Sequence, residues 1–189
     1  MKKHIQVIAV AGALAAVSGS ALAADPGTFF INGNLGQSTY HDGGFDNNTD
    51  TSGAIRAGYS WQSYKVDFGV EGGYVDLGRA TGEIFGEKYS VKGKGPLLGL
   101  NIKYKFENKM FVSARGGYFH STLEEGVQGF GSDSFHGNGA YLGAGVGYDI
   151  TPQFSLGLSY DDYHGRVRFD GYRFNESIGV YSGFAEYRF

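Results

Sequence analysis

Hydrophobic and polar residues alternate with a period of two along most of this chain, and this alternation restricts the fold more than any other feature. A period of two places successive side chains on opposite faces of a β-strand, whereas an amphipathic helix needs a period near 3.6. Between residues 98 and 102, for example, Leu98, Leu100 and Ile102 alternate with Gly99 and Asn101. Helical periodicity is absent after residue 24. We therefore expect an all-β protein.

The alternation recurs in eight segments, and each segment has one face of aliphatic and aromatic residues and another face of Gly, Ser, Asn and charged residues. The segments cover residues 29–36, 55–62, 65–74, 98–105, 110–119, 141–150, 154–161 and 181–189. A water-soluble β-sandwich would give the same alternation, with its apolar face turned towards a core. The alternative is a barrel whose apolar face meets lipid.

The connections between the segments favour the membrane barrel. Those at residues 62–64, 107–109 and 151–153 are tight, whereas those near 41–52, 77–88, 122–137 and 165–176 are long and polar. Outer-membrane barrels have short periplasmic turns, long external loops and aromatic residues near their strand ends. Since lipid cannot satisfy an open sheet edge, the last strand must pair with the first. The sequence therefore predicts an eight-stranded antiparallel up-and-down transmembrane β-barrel over residues 24–189, with a narrow lumen.

The first 23 residues have the pattern of a secretory signal peptide. Lys2 and Lys3 precede a nearly continuous apolar run at residues 5–17, and the small residues Ala21 and Ala23 follow it. We expect cleavage after residue 23, export, and a location in the outer membrane of a Gram-negative bacterium. The closing segment ends in Tyr187 and Phe189, which we interpret as a C-terminal signal for the outer-membrane assembly machinery.

Composition excludes several classes of protein. The chain has 33 glycines and 16% aromatic residues but only 3 prolines, so a collagen-like or disordered chain is excluded. It has no cysteine, which removes disulfides, thiolate zinc sites and cysteine nucleophiles. A net charge of −3 gives no basic surface for nucleic acid.

Charged residues on the inner face need partners, because an unpaired charge in a space of low dielectric constant is costly. Counting from the tight turns places Arg56, Glu71 and Arg115 at similar depth, and we expect Glu71 to pair with Arg115 or Arg56. A second, mixed-sign group is expected near the periplasmic mouth, and it comprises Lys65, Asp67, Lys103, Lys105, Asp149, Glu186 and Arg188. These charges either fill and rigidify the lumen or border a watered path past Glu71 that the glycines at 143, 145, 147 and 157 leave open.

Three stretches resemble the transmembrane domain of the outer membrane protein A family: GYSWQSYKVDFGVEGGYVDLGRATG, LLGLNIKYKFENKMFVSARGGYFH and GAGVGYDITPQFSLGLSYDDY, which begin at residues 58, 97 and 143. The resemblance implies charged lumen residues that plug or gate the barrel. Glu71 matches the family's acidic position on the third strand, and Arg115 matches another inward arginine. Asn101, Gly147 and Gly157 stand at the family's other three charged positions. No stretch resembles its peptidoglycan-binding domain, so we expect no cell-wall tether.

Two clusters resemble parts of enzyme sites. Asp161, Asp162 and His164 lie at the outer end of the seventh segment, and His120 precedes Ser121. Alternation places Asp161 and Asp162 on opposite faces, and neither cluster has the spacing of a known hydrolase site. The four histidines near the outer end, at 41, 120, 136 and 164, lack the paired spacing of metal ligands. We expect no enzyme activity, no metal and no cofactor.

The last long connection alternates arginine with aromatic residues. Arg166, Arg168 and Arg173 could bind lipopolysaccharide phosphates or a host surface, since guanidinium groups match phosphate geometry. The alternative is that this connection extends the strands above the membrane. The expected function is structural, in envelope integrity with exposed loops, among outer-membrane lipid and lipopolysaccharide. A low-conductance channel and an adhesin or ligand-binding protein are the alternatives.

Overall fold

The computed structural model describes residues 27–40, 48–84, 87–127, 131–169 and 172–189, and these residues form eight β-strands. The strands are β1 (Gly27–Tyr40), β2 (Thr49–Ser63), β3 (Val66–Ile84), β4 (Glu87–Lys105), β5 (Met110–Val127), β6 (Gly131–Asp149), β7 (Phe154–Phe169) and β8 (Tyr172–Arg188). Each strand pairs antiparallel with its chain neighbours, and β1 pairs with β8. The predicted eight-stranded antiparallel up-and-down barrel is confirmed. The predicted signal peptide at residues 1–23 lies outside the described residues.

Hydrogen bonds at the chain end complete the closure of the sheet. The register between β1 and β8 runs from Phe30 opposite Arg188 to Tyr40 opposite Ile178. The backbone N–H of Phe189 donates to the carbonyl of Phe29 over 3.0 Å, and the Thr28 hydroxyl donates to the Phe189 carbonyl over 2.5 Å. Because every strand has two neighbours, the barrel presents no open edge at the level where these pairs form.

Three short turns connect the strands at one end of the barrel, as predicted. Tyr64, with φ of 56°, lies in the turn between β2 and β3, and Lys109, with φ of 65°, ends the turn between β4 and β5. In the third turn the Thr151 hydroxyl accepts the backbone N–H groups of Gln153 and Phe154 over 3.2 and 3.0 Å. These local bonds replace ladder bonds where the chain reverses.

The other end differs from the prediction of long loops. Three of the four stretches assigned to loops, at 77–88, 122–137 and 165–176, lie mostly in paired strands, so β3 reaches Ile84 and β5 reaches Val127. Polar residues can continue a strand above a membrane because the neighbouring backbone still satisfies their N–H and C=O groups. The first connection, at 41–52, enters β2 at Thr49, and its residues 41–47 lie outside the described residues.

The outer face of the barrel is apolar and its side chains are well exposed. Leu35, Leu98 and Leu142 are 66 to 70% exposed, as lipid-facing residues of a barrel would be. Aromatic pairs lie near the short turns, where Tyr59 and Trp61 have ring centroids 5.1 Å apart. Tyr160 and Tyr181 form another pair, 4.6 Å apart, towards the opposite end. No helix among the described residues is long and apolar enough to cross a membrane.

Candidate functional site in the barrel lumen

The inward-facing side chains form successive layers from the short turns to the opposite end. Every second residue of each strand points inwards, so neighbouring strands contribute side chains at the same depth. Charged residues occupy the layer nearest the short turns, polar and charged residues form the middle layers, and apolar residues fill the far end. This layering determines what can enter the lumen.

The layer nearest the short turns is the mouth cluster, which consists of Asp67, Lys103, Lys105, Asp149, Glu186 and Arg188. Lys103 Nζ lies 2.5 Å from Glu186 Oε1, and Lys105 Nζ lies 2.5 Å from Asp67 Oδ2. Arg188 Nη2 donates to Asp149 Oδ1 over 2.6 Å and to the Ser155 hydroxyl over 2.7 Å. Each charge in this cluster therefore has a partner of opposite sign.

Lys65 does not join the mouth cluster, although the sequence places it there. Its Nζ lies 3.0 Å from Glu107 Oε1, and Glu107 is almost fully exposed on the next turn. The reason is local: Lys65 belongs to the turn between β2 and β3, where strand alternation no longer determines the direction of a side chain.

Three phenylalanine rings lie above the mouth cluster. Phe30, Phe111 and Phe184 point inwards and are buried. A Cβ atom at Gly58, Gly147 or Gly157 would collide with the rings of Phe30, Phe111 and Phe184, respectively. Neighbouring strands therefore place aromatic rings in the space that Gly147 and Gly157 leave.

Glu71 is the centre of the next layer and is only 4% exposed. Its Oε1 accepts the Tyr141 hydroxyl over 2.8 Å and lies 3.7 Å from Arg56 Nε. Its Oε2 accepts Asn101 Nδ2 over 3.0 Å. The structure thus brings Glu71 together with Arg56, one of its two expected partners.

Arg115 does not pair with Glu71, its other expected partner. It forms a two-bond contact with Asp161, with Nε to Oδ1 and Nη2 to Oδ2 both at 2.6 Å, and it also donates to the Ser159 hydroxyl over 2.9 Å. Asp161 Oδ1 occupies the space that a Cβ at Gly143 would need. Residue alternation places Asp161 on the inner face, so the sequence contained the information that Asp161 is a possible partner for Arg115.

Arg56 is almost fully buried and connects three strands. Its Nη1 donates to Asn34 Oδ1 over 2.5 Å and its Nη2 donates to the Tyr163 hydroxyl over 2.8 Å. Asn34 Nδ2 in turn donates to the Ser182 hydroxyl over 3.1 Å. The five lumen cations, including those of the mouth cluster, are matched by five carboxylates, so the described lumen carries no excess charge.

Beyond the layer of Glu71 and Arg56, the lumen is filled by an apolar plug that the sequence analysis missed. The plug consists of Tyr40, Val75, Leu77, Ala80, Leu97, Phe119, Tyr141, Tyr163, Ile178 and Val180, all of which are buried. Tyr141 and Tyr163 stack with ring centroids 5.8 Å apart, and their hydroxyls reach down to Glu71 and Arg56. The sequence could have indicated the plug, because alternation places the apolar residues 75, 97, 119 and 180 on the inner face.

Two small cavities lie between these layers. One of about 40 Å³ lies between the mouth cluster and Glu71 and is lined by Asn32, Asn101 and Lys103, among others. Another, of about 10 Å³, lies beside Arg56 and Ser52. Spaces of this size hold a few water molecules at most.

The residues considered for catalysis are divided between the two faces of β7. Asp161 is buried in the lumen, whereas Asp162 faces outwards, as alternation predicts. Asp162 Oδ1 accepts the Ser177 hydroxyl over 2.8 Å and lies 3.7 Å from His164 Nδ1. In this arrangement the Ser177 hydroxyl donates to the Asp162 carboxylate rather than to the His164 imidazole. These residues therefore do not form the hydrogen bond between nucleophile and base that a serine hydrolase uses.

The remaining predicted residues belong to β7, β8 and the end of the chain. The backbone of Arg166 and Arg168 belongs to β7 and that of Arg173 to β8, with Arg168 opposite Arg173 in the register. This matches the alternative of a strand extension; the side chains of these arginines lie outside the described residues. Tyr187 and Phe189 face outwards at the short-turn end, with ring centroids 5.2 Å apart.

Comparison with known proteins identifies chains of the same kind. The sequence pattern of the family described as "Outer membrane protein beta-barrel domain" matches residues 9–189. Outer membrane protein A of Escherichia coli O157:H7 is 31% identical over 165 residues, which cover 85% of this chain and 47% of that protein. Outer membrane protein A of Salmonella typhi is 30% identical over 167 residues, with the same coverage. The chain thus spans about half the length of these curated relatives.

Solved structures share the fold at lower sequence identity. Neisserial surface protein A superposes with a TM-score of 0.58 and 13% identity over 85% of this chain and 97% of that chain. Ail, the attachment invasion locus protein of Yersinia pestis, superposes with a TM-score of 0.53 and 17% identity over 86% of this chain and 97% of that chain. At these identities the likeness concerns the fold.

Proposed function

Because the chain belongs to the family of outer membrane protein beta-barrel domains, we propose that it is an integral outer-membrane protein with a structural role. It contributes to envelope integrity and presents the ends of its long hairpins outside the membrane. Its outer face suits lipid, and its lumen is filled rather than shaped as a reaction site.

The apolar plug is the observation that carries this proposal. Ten buried residues close the far end of the lumen, and beneath them Glu71, Arg56, Arg115 and Asp161 satisfy one another's charges. A hydrated ion would have to lose its water to pass an apolar layer, which is costly. The plug therefore supports a closed scaffold over the alternative of a low-conductance channel.

Single-channel recording of the refolded chain in a planar bilayer tests the proposal. We expect no discrete openings from protein whose folding is verified by heat-modifiable mobility on unboiled gels. Discrete openings from folded protein would contradict the closed scaffold and favour the channel. Protein that fails to insert, or that is soluble without detergent, would instead contradict the membrane location.

Surface binding is the second candidate function. The hairpin of β7 and β8 extends the barrel and carries Arg166, Arg168 and Arg173 near its end. The paired strands would present these cations to lipopolysaccharide phosphates or to a host surface. We expect Arg→Ser changes at the three positions to reduce binding to lipopolysaccharide or cells without altering barrel mobility. Binding equal to that of the wild-type protein would remove these arginines from the proposal.

The C-terminal pair supports a further part of the proposal, recognition by the outer-membrane assembly machinery. Tyr187 and Phe189 are exposed on the outer face and contact each other edge to face. Before closure they would be accessible on an unpaired strand. We expect Phe189→Ala to slow assembly in cells while leaving spontaneous folding into detergent nearly unchanged; an equal delay in both would assign Phe189 to folding alone.

A further inference from the structure

An apolar groove of about 400 Å³ runs along the outer face of the barrel. Its floor is made of the small residues Ala114 and Gly116 on β5. Trp61 and Phe68, whose rings stack with centroids 5.7 Å apart, form one wall, and Leu142 forms the other. The strand register places Phe68, Ile102 and Ala114 in one row across the sheet, and Val70, Leu100 and Gly116 in the next.

The apolar lining of the groove and its position along the barrel restrict what can fill it. Its lining side chains are apolar apart from Asn101 and Arg115, whose polar groups are bonded inside the lumen, so hydrocarbon or an apolar protein surface is the occupant that suits it in a membrane. Trp61 lies two residues from the end of β2, so the groove is in the half of the barrel near the short turns. In an outer-membrane barrel this half faces the periplasmic leaflet.

Cationic side chains lie directly beneath the groove. The strands that form it run into two turns, one with Lys65 and one with Glu107 and Lys109. Lys65 pairs with Glu107 at 3.0 Å, and the Lys105 N–H donates to the Lys65 carbonyl over 2.7 Å, so the two turns are joined. Lys109 is exposed, and these three turn side chains together carry one excess positive charge.

The charge and the groove together match an anionic phospholipid. Lys65 is the fourth residue after Trp61, and four residues of extended chain span at most about 13 Å. An acyl chain in the groove would therefore place its phosphate at the level of the lysines. A second copy of this barrel would bring its own apolar face, but the carboxylate of its corresponding turns, Glu107, is already paired with its own Lys65. We propose that the groove holds an acyl chain of an anionic phospholipid whose phosphate lies against Lys109 and Lys65.

The single tryptophan of the chain makes the proposal measurable, since Trp61 lines the groove. The refolded chain is inserted into dioleoylphosphatidylcholine vesicles that contain increasing fractions of chain-brominated phosphatidylcholine or chain-brominated phosphatidylglycerol. Bromine quenches tryptophan fluorescence on contact. We expect brominated phosphatidylglycerol to quench at a several-fold lower fraction, because one lysine near a membrane surface favours an anionic lipid about fivefold.

Two variants and one control complete the experiment. Lys109→Asn keeps a residue that tolerates positive φ and removes the charge, so it should abolish most of the headgroup preference. Ala114→Phe fills the floor of the groove and should lower quenching by both lipids. Ala185→Phe, on the outer face of β8, is the matched control and should leave quenching unchanged.

The outcomes separate the possible occupants. Equal quenching by the two headgroups in wild-type protein overturns the proposal, as does a headgroup preference that Lys109→Asn leaves intact. Shielding of Trp61 that grows with protein concentration would assign the groove to a second copy and also overturn it. The inference rests on the proposed membrane location, which folding into the vesicles tests separately through gel mobility. If Ala114→Phe does not fold, the headgroup preference of Lys109→Asn compared with that of the wild-type protein still tests the proposal.

Discussion

At the scale of single residues, the lumen depends on complete partnering of buried charges. Arg56 and Glu71 are at most 4% exposed, and each is surrounded by amide, hydroxyl or carboxylate groups from other strands. A buried ion pair contributes little net stability over apolar residues of the same size, but removal of one partner is costly. Single and double substitutions in this network should therefore differ sharply in their effect on the free energy of unfolding.

Tyr141→Phe tests the contribution of one hydrogen bond to a buried carboxylate. The change removes the hydroxyl that donates to Glu71 Oε1, and we expect a loss of about 1.5–3 kcal/mol in the free energy of unfolding. Urea unfolding in lipid vesicles measures it. Tyr118→Phe, on the exposed outer face, is the matched control and should change stability by less than about 0.5 kcal/mol. Equal effects of the two changes would show that the hydroxyl bond to Glu71 is unimportant.

Arg115 and Asp161 test whether the pair acts as a unit. Arg115→Met leaves Asp161 buried without its cation, and we expect a loss of about 3–5 kcal/mol. The double variant Arg115→Met with Asp161→Leu should recover most of this stability, because neither uncompensated charge remains. Unfolding free energies of the four proteins in a double-mutant cycle provide the measurement. Additive losses in the double variant would contradict the pairing.

At the scale of strands, glycine and phenylalanine act together across neighbouring strands. The pairs Phe111 with Gly147 and Phe184 with Gly157 fill the lumen because the ring of one strand lies over the bare backbone of the next. The glycines on the outer face differ: a Cβ at Gly33 would have no heavy atom within 4 Å. The same residue type therefore has two roles, which depend on the face that it occupies.

Gly157→Ala should destabilise the barrel, since its methyl group would overlap the ring of Phe184. Overpacking of this kind costs about 1–3 kcal/mol. Gly33→Ala is the matched control, and there the added methyl group reaches open space, so stability should stay equal or rise slightly. Folded fractions on unboiled gels across a urea series compare the two variants. A larger loss for Gly33→Ala would contradict the inward and outward assignment.

At the scale of the whole molecule, two different layers fill the described lumen in series. The ion-pair network lies at mid-depth and the apolar plug lies beyond it. Leu77 and Phe119 belong to the plug and are buried, with no more than 3% exposure. The two layers touch through the hydroxyls of Tyr141 and Tyr163, but the apolar side chains of the plug do not depend on Glu71, so the loss of the carboxylate should not by itself open a path for ions.

Glu71→Ala should therefore lower stability without creating conductance. The change leaves the Arg56 guanidinium without its carboxylate, but the apolar plug stays in place. The double variant Leu77→Ser with Phe119→Ser, which makes the plug polar and smaller, should show more frequent openings than Glu71→Ala. Planar-bilayer recordings of folded protein compare them. Discrete openings of Glu71→Ala alone would show that the ion-pair network is the main seal.

The sequence by itself determined the strand count, the closure, the short turns and the inward or outward direction of most of the described strand side chains. A strand's two-residue period depends only on local backbone geometry, so alternation could be read without knowledge of neighbours. It also placed Arg56, Glu71 and all six residues of the mouth cluster in the lumen, together with Lys65, which the structure places in a turn. The polar connections were less informative, because a polar stretch can form either a loop or a strand once a neighbouring strand offers hydrogen bonds.

Only the tertiary structure decided which inward residues meet. Arg115 pairs with Asp161 on β7 rather than with Glu71 on β3. This pairing depends on strand register and on the space above Gly143. The rings at Phe111 and Phe184 fill glycine gaps for the same reason, and the apolar plug forms only when inward residues of many strands converge. Alternation assigns a side chain to a face, whereas register and closure determine its neighbours across the lumen.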